Sequence, residues 1–159
     1  MPWWLHPPRL LDLFSSLRFR VAGHSMEPYL LEGDMVLVSR RFPGGIPRRG
    51  DVVAFREPES GGVSIKRICG LPNERIEIID AAIYVNGESL PEAYVSRAPS
   101  RPNSGDSAEW MTGEDEFVLL GDNRGDSKDS RAFGSVARDA IAGRVWYCHA
   151  PKSRRGILR

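Results

Sequence analysis

Short runs of apolar and β-branched residues, each closed by turn residues, recur along most of this chain and limit the folds open to it. Examples are MVLVSRRF at 35–42, DVVAF at 51–55 and VSIKRIC at 63–69, and the Asn86-Gly87 pair is a strong hairpin signal. Short strands at this spacing favour sheets or a barrel over alternating strands and helices. We therefore predict a mainly β fold of folded antiparallel sheets, or a partly open β-barrel, with long irregular loops and little helix.

The length of the chain, 159 residues, suits a single domain. We predict this domain at 17–150, with residues 80–115 as a small β and loop insertion. Inside the insertion, residues 96–109 have the composition of an irregular loop. The sequence VARDAIA at 136–142 predicts the one short helical turn.

Two terminal segments, at 1–16 and 151–159, lie outside the predicted domain. The first lacks the roughly 20 consecutive apolar residues that a membrane span needs, and its residue order does not match a secretory signal peptide. Its tryptophans and leucines, with Arg9 and the following Arg18 and Arg20, suit a membrane interface; alternatively the segment caps the domain's own core, and both interpretations stay open. The second is a basic tail, either a solvated end or a contact for an anionic membrane surface.

The charge balance and the motif content argue against nucleic acid and metal binding. The chain has 22 Lys and Arg against 21 Asp and Glu, so no excess of positive charge points to a nucleic acid partner. There is no HExxH motif and no complete EF-hand loop, and we predict no metal and no other cofactor. The two cysteines, Cys69 and Cys148, form no CxxC pair, and whether they meet in space stays open.

Ser25 is a candidate nucleophile because of the residues around it. Gly23 permits close backbone approach and Pro28 stiffens the exit, so this serine could present its hydroxyl and its own N–H to a cleft. A serine hydroxyl needs a neighbouring base. His24 is a poor candidate for that base, because adjacent residues of an extended strand point to opposite faces. On local context alone, a surface or turn serine is the commoner case.

Lys66 is the alternative base, since it lies within the apolar run VSIKRIC. A free lysine has a pKa of about 10.4 and does not accept a proton near neutral pH. Burial disfavours the ammonium form and lowers that pKa. The competing interpretation is that the stem of Lys66 packs on the sheet while its amino group reaches water.

The segment GDNRGDSKDSR at 121–131 combines many Asx and Ser side chains with two arginines. One interpretation is a turn held by its own hydrogen bonds. The other is a rigid polar loop in which Ser127 orients the lysine and Asp129 pairs with Arg131.

Taken together and in this order, four segments resemble the type I signal peptidase family. They are SMEP with the following EGD and VLV, RRGDVVAF, IKRICGLPNERI, and GDNRGDSKDSRAFG, within roughly residues 17–147. The resemblance implies the folded β-sheets, or partly open barrel, of signal peptidase I. Residues 91–115 are poorly constrained by it.

The resemblance also implies a role for each matched position. Ser25 would be the acylating nucleophile, with its backbone N–H in the oxyanion hole, and Lys66 would be the general base. Ser127 would hydrogen-bond the lysine and orient it. Gly23 stands where some members carry a second, hydroxyl donor to the oxyanion. Met26 would line the cleft. Two structural ion pairs would brace the site, Arg67 with Asp122 and Asp129 with Arg131.

The implied substrates are exported preproteins, bound as extended strands and cut after small residues at the first and third positions before the bond. The implied location is the membrane, on its extracytoplasmic face. A peptidase dedicated to one or few precursors, of the kind that matures pilins or a metalloenzyme, is an alternative. A self-cleaving repressor shares the Ser-Lys chemistry, but residues 1–16 are too short for its DNA-binding part. An inactive β-rich binding module is the non-enzymatic alternative.

Overall fold

The computed structural model describes residues 16–95 and 107–158, which form two antiparallel β-sheets. The large sheet contains eight strands: β1 (Leu17–Arg20), β2 (Met35–Ser39), β3 (Val52–Arg56), β4 (Val63–Gly70), β9 (Glu116–Leu120), β10 (Val136–Ala137), β11 (Ile141–Ala150) and β12 (Gly156–Ile157). The small sheet contains four: β5 (Arg75–Ile79), β6 (Ala82–Val85), β7 (Glu88–Ser89) and β8 (Ala108–Met111). The predictions for residues 1–15, and those for most of the loop at 96–109, lie outside the described residues.

The strand order places β4, the strand of Lys66, in the interior of the large sheet. The order is β1-β2-β11-β3-β4-β9-β10, with β12 paired to β11. Lys66 lies opposite Val53 of β3, and its neighbour Arg67 lies opposite both Val52 of β3 and Leu120 of β9. The small sheet has the order β7-β6-β5-β8. The predicted mainly β fold with little helix is confirmed, and the two sheets are not closed into a barrel.

The helical turn predicted at 136–142 is present only in its middle part. Val136 belongs to strand β10 and is buried in the core, and only Arg138–Ala140 form a single 3₁₀ turn before β11 begins. The short helix α1 instead spans Ser130–Phe133, where Asp129 caps its N-terminus by accepting a hydrogen bond from the Arg131 N–H. An aspartate at this position supplies an acceptor for an otherwise unpaired amide.

Three clusters of buried apolar side chains hold the sheets together. Strand β3 belongs to two of them, because Val52 and Ala54 face one cluster while Val53 and Phe55 face the other. Alternate residues of a strand point to opposite faces, so this pattern means that the sheet is covered on both sides. A third cluster joins β4 and β9 to the small sheet: Cys69, Ile76, Ile78, Ile83, Val118 and Leu120.

The hairpin predicted at Asn86-Gly87 joins β6 to β7. Both residues have positive φ angles, 51° and 84°, as a tight two-residue hairpin turn requires. The two cysteines, whose pairing the sequence left open, are both free thiols: Cys69 is buried in the third cluster and Cys148 in the first. Within residues 16–95 and 107–158, no helix has the length and apolar character needed to span a bilayer.

The close approach of β11 and β2 yields a stability prediction. A Cβ atom added at Gly143 would lie 2.3 Å from the Ser39 carbonyl oxygen and 3.0 Å from a Val38 methyl group. Because backbone atoms must then shift in a packed sheet, we expect Gly143→Ala to lower the free energy of unfolding by about 1–3 kcal/mol. Denaturant unfolding measures this. Gly156→Ala is the control, since a Cβ there meets nothing within 4 Å, and equal losses in both variants would contradict the packing argument.

Candidate active site

Ser25 lies in a hydrogen-bonded turn between β1 and β2. The Glu27 N–H donates to the His24 carbonyl at 3.1 Å, and the Leu30 N–H donates to the Met26 carbonyl at 2.9 Å. Among the described residues, the backbone N–H of Ser25 donates to no other group. The turn therefore presents both the hydroxyl and a free amide donor of the same residue.

The Lys66 amino group meets the Ser25 hydroxyl. The distance from Lys66 Nζ to Ser25 Oγ is 2.7 Å, and Nζ also lies 3.1 Å from the carbonyl oxygen of Ile65. Lys66 is only 5% exposed. The structure therefore does not place this amino group in bulk water, which was the competing interpretation of the sequence.

Burial lowers the pKa of Lys66 below its ordinary value, because the ammonium form loses hydration. Three carboxylates oppose this effect by favouring the positive charge: Asp129, then Glu57, then Asp122. Burial outweighs them, so that the neutral amine forms at lower pH than in a free lysine. A neutral amine at hydrogen-bond distance from a hydroxyl can remove its proton.

His24 is engaged elsewhere. Its Nδ1 lies 2.8 Å from the Glu27 carboxylate and its Nε2 lies 3.7 Å from the Glu32 carboxylate, with half of the side chain exposed. These contacts, first of all the hydrogen bond to Glu27, raise the pKa of His24. These contacts agree with the expectation that His24 is not the partner of Ser25, although both residues lie in a turn and not on the extended strand that the sequence argument assumed.

Ser127, Asp129 and Arg131 form one connected group. The Ser127 hydroxyl donates to Asp129 Oδ2 at 2.8 Å, and Arg131 donates to both oxygens of the same carboxylate at 2.9 Å. Although burial alone would raise the pKa of Asp129, the Arg131 hydrogen bonds and the Gly121 N–H hold it below its usual value. The expected hydrogen bond from Ser127 to Lys66 is not formed, since the donors of Lys66 are directed at Ser25 and Ile65.

The loop after β9 packs directly on the turn that carries Ser25. The Asn123 N–H donates to the Ser25 carbonyl at 3.0 Å, and the Asn123 side chain donates to the His24 carbonyl at 3.2 Å. A Cβ at Gly121 would lie 2.2 Å from Ser127 Oγ and 2.6 Å from the Ser25 carbonyl oxygen. Gly121 and Asn123 belong to the motif that the sequence analysis quoted, but they were not chosen as site residues.

Arg67 and Asp122 form a buried, two-pronged ion pair. The Arg67 side chain donates to the two carboxylate oxygens at 2.8 and 2.6 Å, and the side chains are 6% and 0% exposed. The Arg67 guanidinium also lies between two rings, 4.6 Å from the centroid of Tyr29 and 4.2 Å from that of Tyr94. Burial opposes the charge of Arg67, but the hydrogen bonds and charge of Asp122 raise its pKa above the usual value.

Neither tyrosine was identified from the sequence, and neither was the ion pair between Glu92 and Arg124. The Arg124 Nε donates to the Gly121 carbonyl at 2.9 Å, and the Tyr94 hydroxyl donates to Glu92 at 2.8 Å. The segment that follows β7 is thereby tied to the loop after β9. No motif at Glu92 or Tyr94 signals this contact.

Met26 lies in the core. It is 2% exposed and belongs to the first apolar cluster. Its side chain therefore supports the turn of Ser25 from the interior, and contact with a substrate stays a prediction. Among residues 16–95 and 107–158, no group of three or more His, Cys, Asp or Glu side chains is arranged to hold a metal ion.

Comparison with known proteins is consistent with this geometry. The family model described as signal peptidase, peptidase S26, matches residues 10–149. A probable signal peptidase I-2 from Synechocystis is 30% identical over 145 residues, which cover 87% of this chain and 65% of the relative. Signal peptidase I from Leptolyngbya laminosa is 31% identical, covering 87% of this chain and 70% of the relative. The chain thus spans about two thirds of the length of these relatives.

Solved structures are similar as well, and one of them illustrates the extent of the match. The crystal structure of a signal peptidase I from Enterococcus faecalis shares 34% sequence identity with this chain, with a TM-score of 0.53. The alignment covers 62% of this chain and 96% of that structure.

The buried Arg67–Asp122 pair yields a stability prediction. Asp122→Ala leaves the guanidinium buried without its carboxylate, and we expect a loss of about 3–5 kcal/mol in the free energy of unfolding. Asp126→Ala, at an exposed position of the same loop, is the control and should change stability little. Unfolding curves for both variants measure the difference. A loss below about 1 kcal/mol for Asp122→Ala would contradict the assigned role of the pair.

Proposed function

Since this chain belongs to the signal peptidase family, peptidase S26, we propose that it is a serine endopeptidase that removes N-terminal signal peptides from exported preproteins. The observation that carries the proposal is the 2.7 Å contact between the Lys66 amine and the Ser25 hydroxyl, with Lys66 buried. A buried lysine beside a serine can supply a general base without a histidine.

The reaction follows from the two side chains. Neutral Lys66 takes the Ser25 proton while Oγ attacks the carbonyl carbon of the scissile bond, and the resulting oxyanion accepts a hydrogen bond from the Ser25 N–H. The Lys66 ammonium then gives its proton to the leaving amine, and an acyl-enzyme remains on Ser25. Lys66 next removes a proton from water, which attacks the ester carbonyl. Proton return to Ser25 releases the carboxylic acid product and restores the dyad.

The surrounding residues have positioning roles in this proposal. Ser127 acts on Lys66 through Asp129, whose charge favours the ammonium form of the lysine and whose carboxylate is held in place by Arg131. The Arg67–Asp122 pair fixes β4, the strand of Lys66, against the loop after β9. Met26 supports the nucleophile turn. Gly23 supplies no hydroxyl, so a second oxyanion donor is either absent or a backbone group.

The proposed substrates are preproteins that bind as extended strands and are cut after small residues. Extended peptides add to sheets by backbone hydrogen bonds, while pockets for alternate side chains select the sequence. We propose further that the protein is membrane-associated and acts on the extracytoplasmic face, as its family membership suggests. A peptidase dedicated to few precursors remains the alternative, and cleavage of a panel of unrelated preproteins distinguishes the two.

The dyad assignment predicts the effect of two substitutions. Ser25→Ala and Lys66→Met should each lower the cleavage rate of a signal-peptide substrate by at least about 10³-fold, because each removes one half of the proton transfer. Lys128→Met is the matched control, since this lysine is 58% exposed and pairs with Glu59. Full activity of Ser25→Ala or of Lys66→Met would refute the assignment, whereas an unaltered chain that cleaves no substrate would favour an inactive binding module.

The pH dependence tests the charge environment of Lys66. Protonated Lys66 cannot act as a base, so activity should rise with pH through the pKa of Lys66, which lies below that of a free lysine. Glu57→Gln removes a negative charge that favours the ammonium, and the rising limb of the pH profile should move to lower pH. Glu59→Gln, in the same turn but paired with Lys128, is the control. Movement of the limb to higher pH in Glu57→Gln would contradict this account.

A further inference from the structure

Arg154, in the basic tail, contacts the loop that carries Ser25. Its Nε lies 3.0 Å from both carboxylate oxygens of Asp34, and its Nη2 donates to the Tyr29 carbonyl at 2.9 Å. Asp34 is 2% exposed and Arg154 is partly buried, with 30% of its side chain exposed. The sequence analysis treated this tail as a solvated end or a membrane contact, and neither interpretation describes Arg154.

Asp34 closes the loop between β1 and β2 that contains Ser25. Its carboxylate accepts the Leu31 N–H at 2.9 Å, and its backbone carbonyl accepts the Val21 N–H at 2.8 Å. The Gly33 N–H donates to the Val21 carbonyl at 2.8 Å. Arg154 therefore binds the point where the two ends of this loop meet.

The second contact of Arg154 leads toward Lys66. It holds the backbone of Tyr29, whose ring lies over the guanidinium of Arg67, the neighbour of Lys66 on β4. One side chain thus holds a residue of the nucleophile loop that is packed against the lysine strand. A shift of about 1 Å in such an arrangement can cost roughly 10²-fold in rate.

The C-terminal tail is held by backbone contacts that do not involve Arg154. The loop of Ser25 therefore relies on the Arg154 side chain more than the tail does. Strand β12 pairs Ile157 with Tyr147 and Gly156 with Cys148, and the Leu158 N–H donates to the Trp146 carbonyl at 2.9 Å. The neighbouring cation, Arg155, donates to the His149 carbonyl at 3.0 Å and does not contact the loop. Removing the Arg154 guanidinium would leave Asp34 buried without a counter-charge while the tail stays attached.

We propose that Arg154 is a positioning residue for the dyad, fixing the loop of Ser25 against Tyr29 and Arg67 through Asp34 and the Tyr29 carbonyl. The proposal rests on the proposed function of the Ser25–Lys66 site. Arg154 contacts neither Ser25 nor Lys66 and acts by positioning the loop of Ser25 relative to β4, so its effect should appear mainly in the rate of the chemical steps.

The experiment compares the unaltered full chain with Arg154→Met, Arg154→Lys and the control Arg155→Met. Cleavage of a signal-peptide substrate is measured at a temperature well below the unfolding midpoint of each variant. For Arg154→Met, kcat should fall by about tenfold or more, with KM changed less than about twofold and the rising limb of the pH profile unmoved. Arg154→Lys keeps a positive charge near Asp34 but lacks the planar guanidinium that also donates to the Tyr29 carbonyl. Its kcat should therefore lie between those of Arg154→Met and the unaltered chain. Arg155→Met should match the unaltered chain.

Backbone hydrogen exchange supplies a readout that does not depend on activity. In Arg154→Met, and to a lesser extent in Arg154→Lys, the amides of Leu30 and Leu31 should exchange faster while those of β3 and β4 stay protected. An unchanged kcat in Arg154→Met together with unchanged exchange of Leu30 and Leu31 would overturn the proposal. An equal loss of kcat in Arg155→Met would overturn it as well. If the unaltered chain cleaves no substrate, the proposed function fails, while exchange alone still tests whether Arg154 holds the loop.

Discussion

The structure depends on one energetically unfavourable feature: the amino group of Lys66 is buried away from bulk water and contacts the hydroxyl of Ser25. Lys66 projects from β4, an interior strand of the large sheet, and the turn after β1 brings Ser25 to 2.7 Å from it. A lysine in such a place loses hydration, and its pKa falls because the ammonium is the form that needs water. Two covered faces of the sheet make the burial possible, so the apolar core and the chemistry of the site are parts of the same arrangement.

Carboxylates around Lys66 would cancel this effect if their charges were left free. Asp122 is paired with Arg67, and Asp129 is paired with Arg131, so the two aspartates that organise the loop after β9 each carry a counter-charge. Glu57 differs, because its hydrogen-bond partners are the neutral hydroxyls of Ser60 and Ser64. The loop after β9 therefore holds hydrogen-bonded carboxylates near the Lys66 amine, and the paired arginines offset part of their negative charge.

Local patterns predicted the strands where alternation or an apolar run is long enough to be distinctive, as in β2, β3, β4 and β11. They missed β8, β10 and β12, which have only two to four residues and owe their extended form to pairing partners. The helical turn predicted at 136–142 is shortened for the same reason: Val136 pairs with Phe117 of β9, which leaves only Arg138–Ala140 in a 3₁₀ turn. In the site, Lys66 contacts Ser25, while the Ser127 hydroxyl donates to Asp129 and Met26 lies in the core.

The sequence by itself determined which chemical groups are present and in which motifs they stand: a serine between Gly23 and Pro28, a lysine in an apolar strand, and a loop dense in aspartate, serine and arginine. Their chemistry is local, so their presence could be read from neighbouring residues. Only the tertiary structure decided the contacts between distant positions, such as Tyr94 over Arg67 and Arg154 on Asp34, 120 residues away. These contacts depend on which strands pair and how closely loops approach, and no local pattern of residue types contains that information.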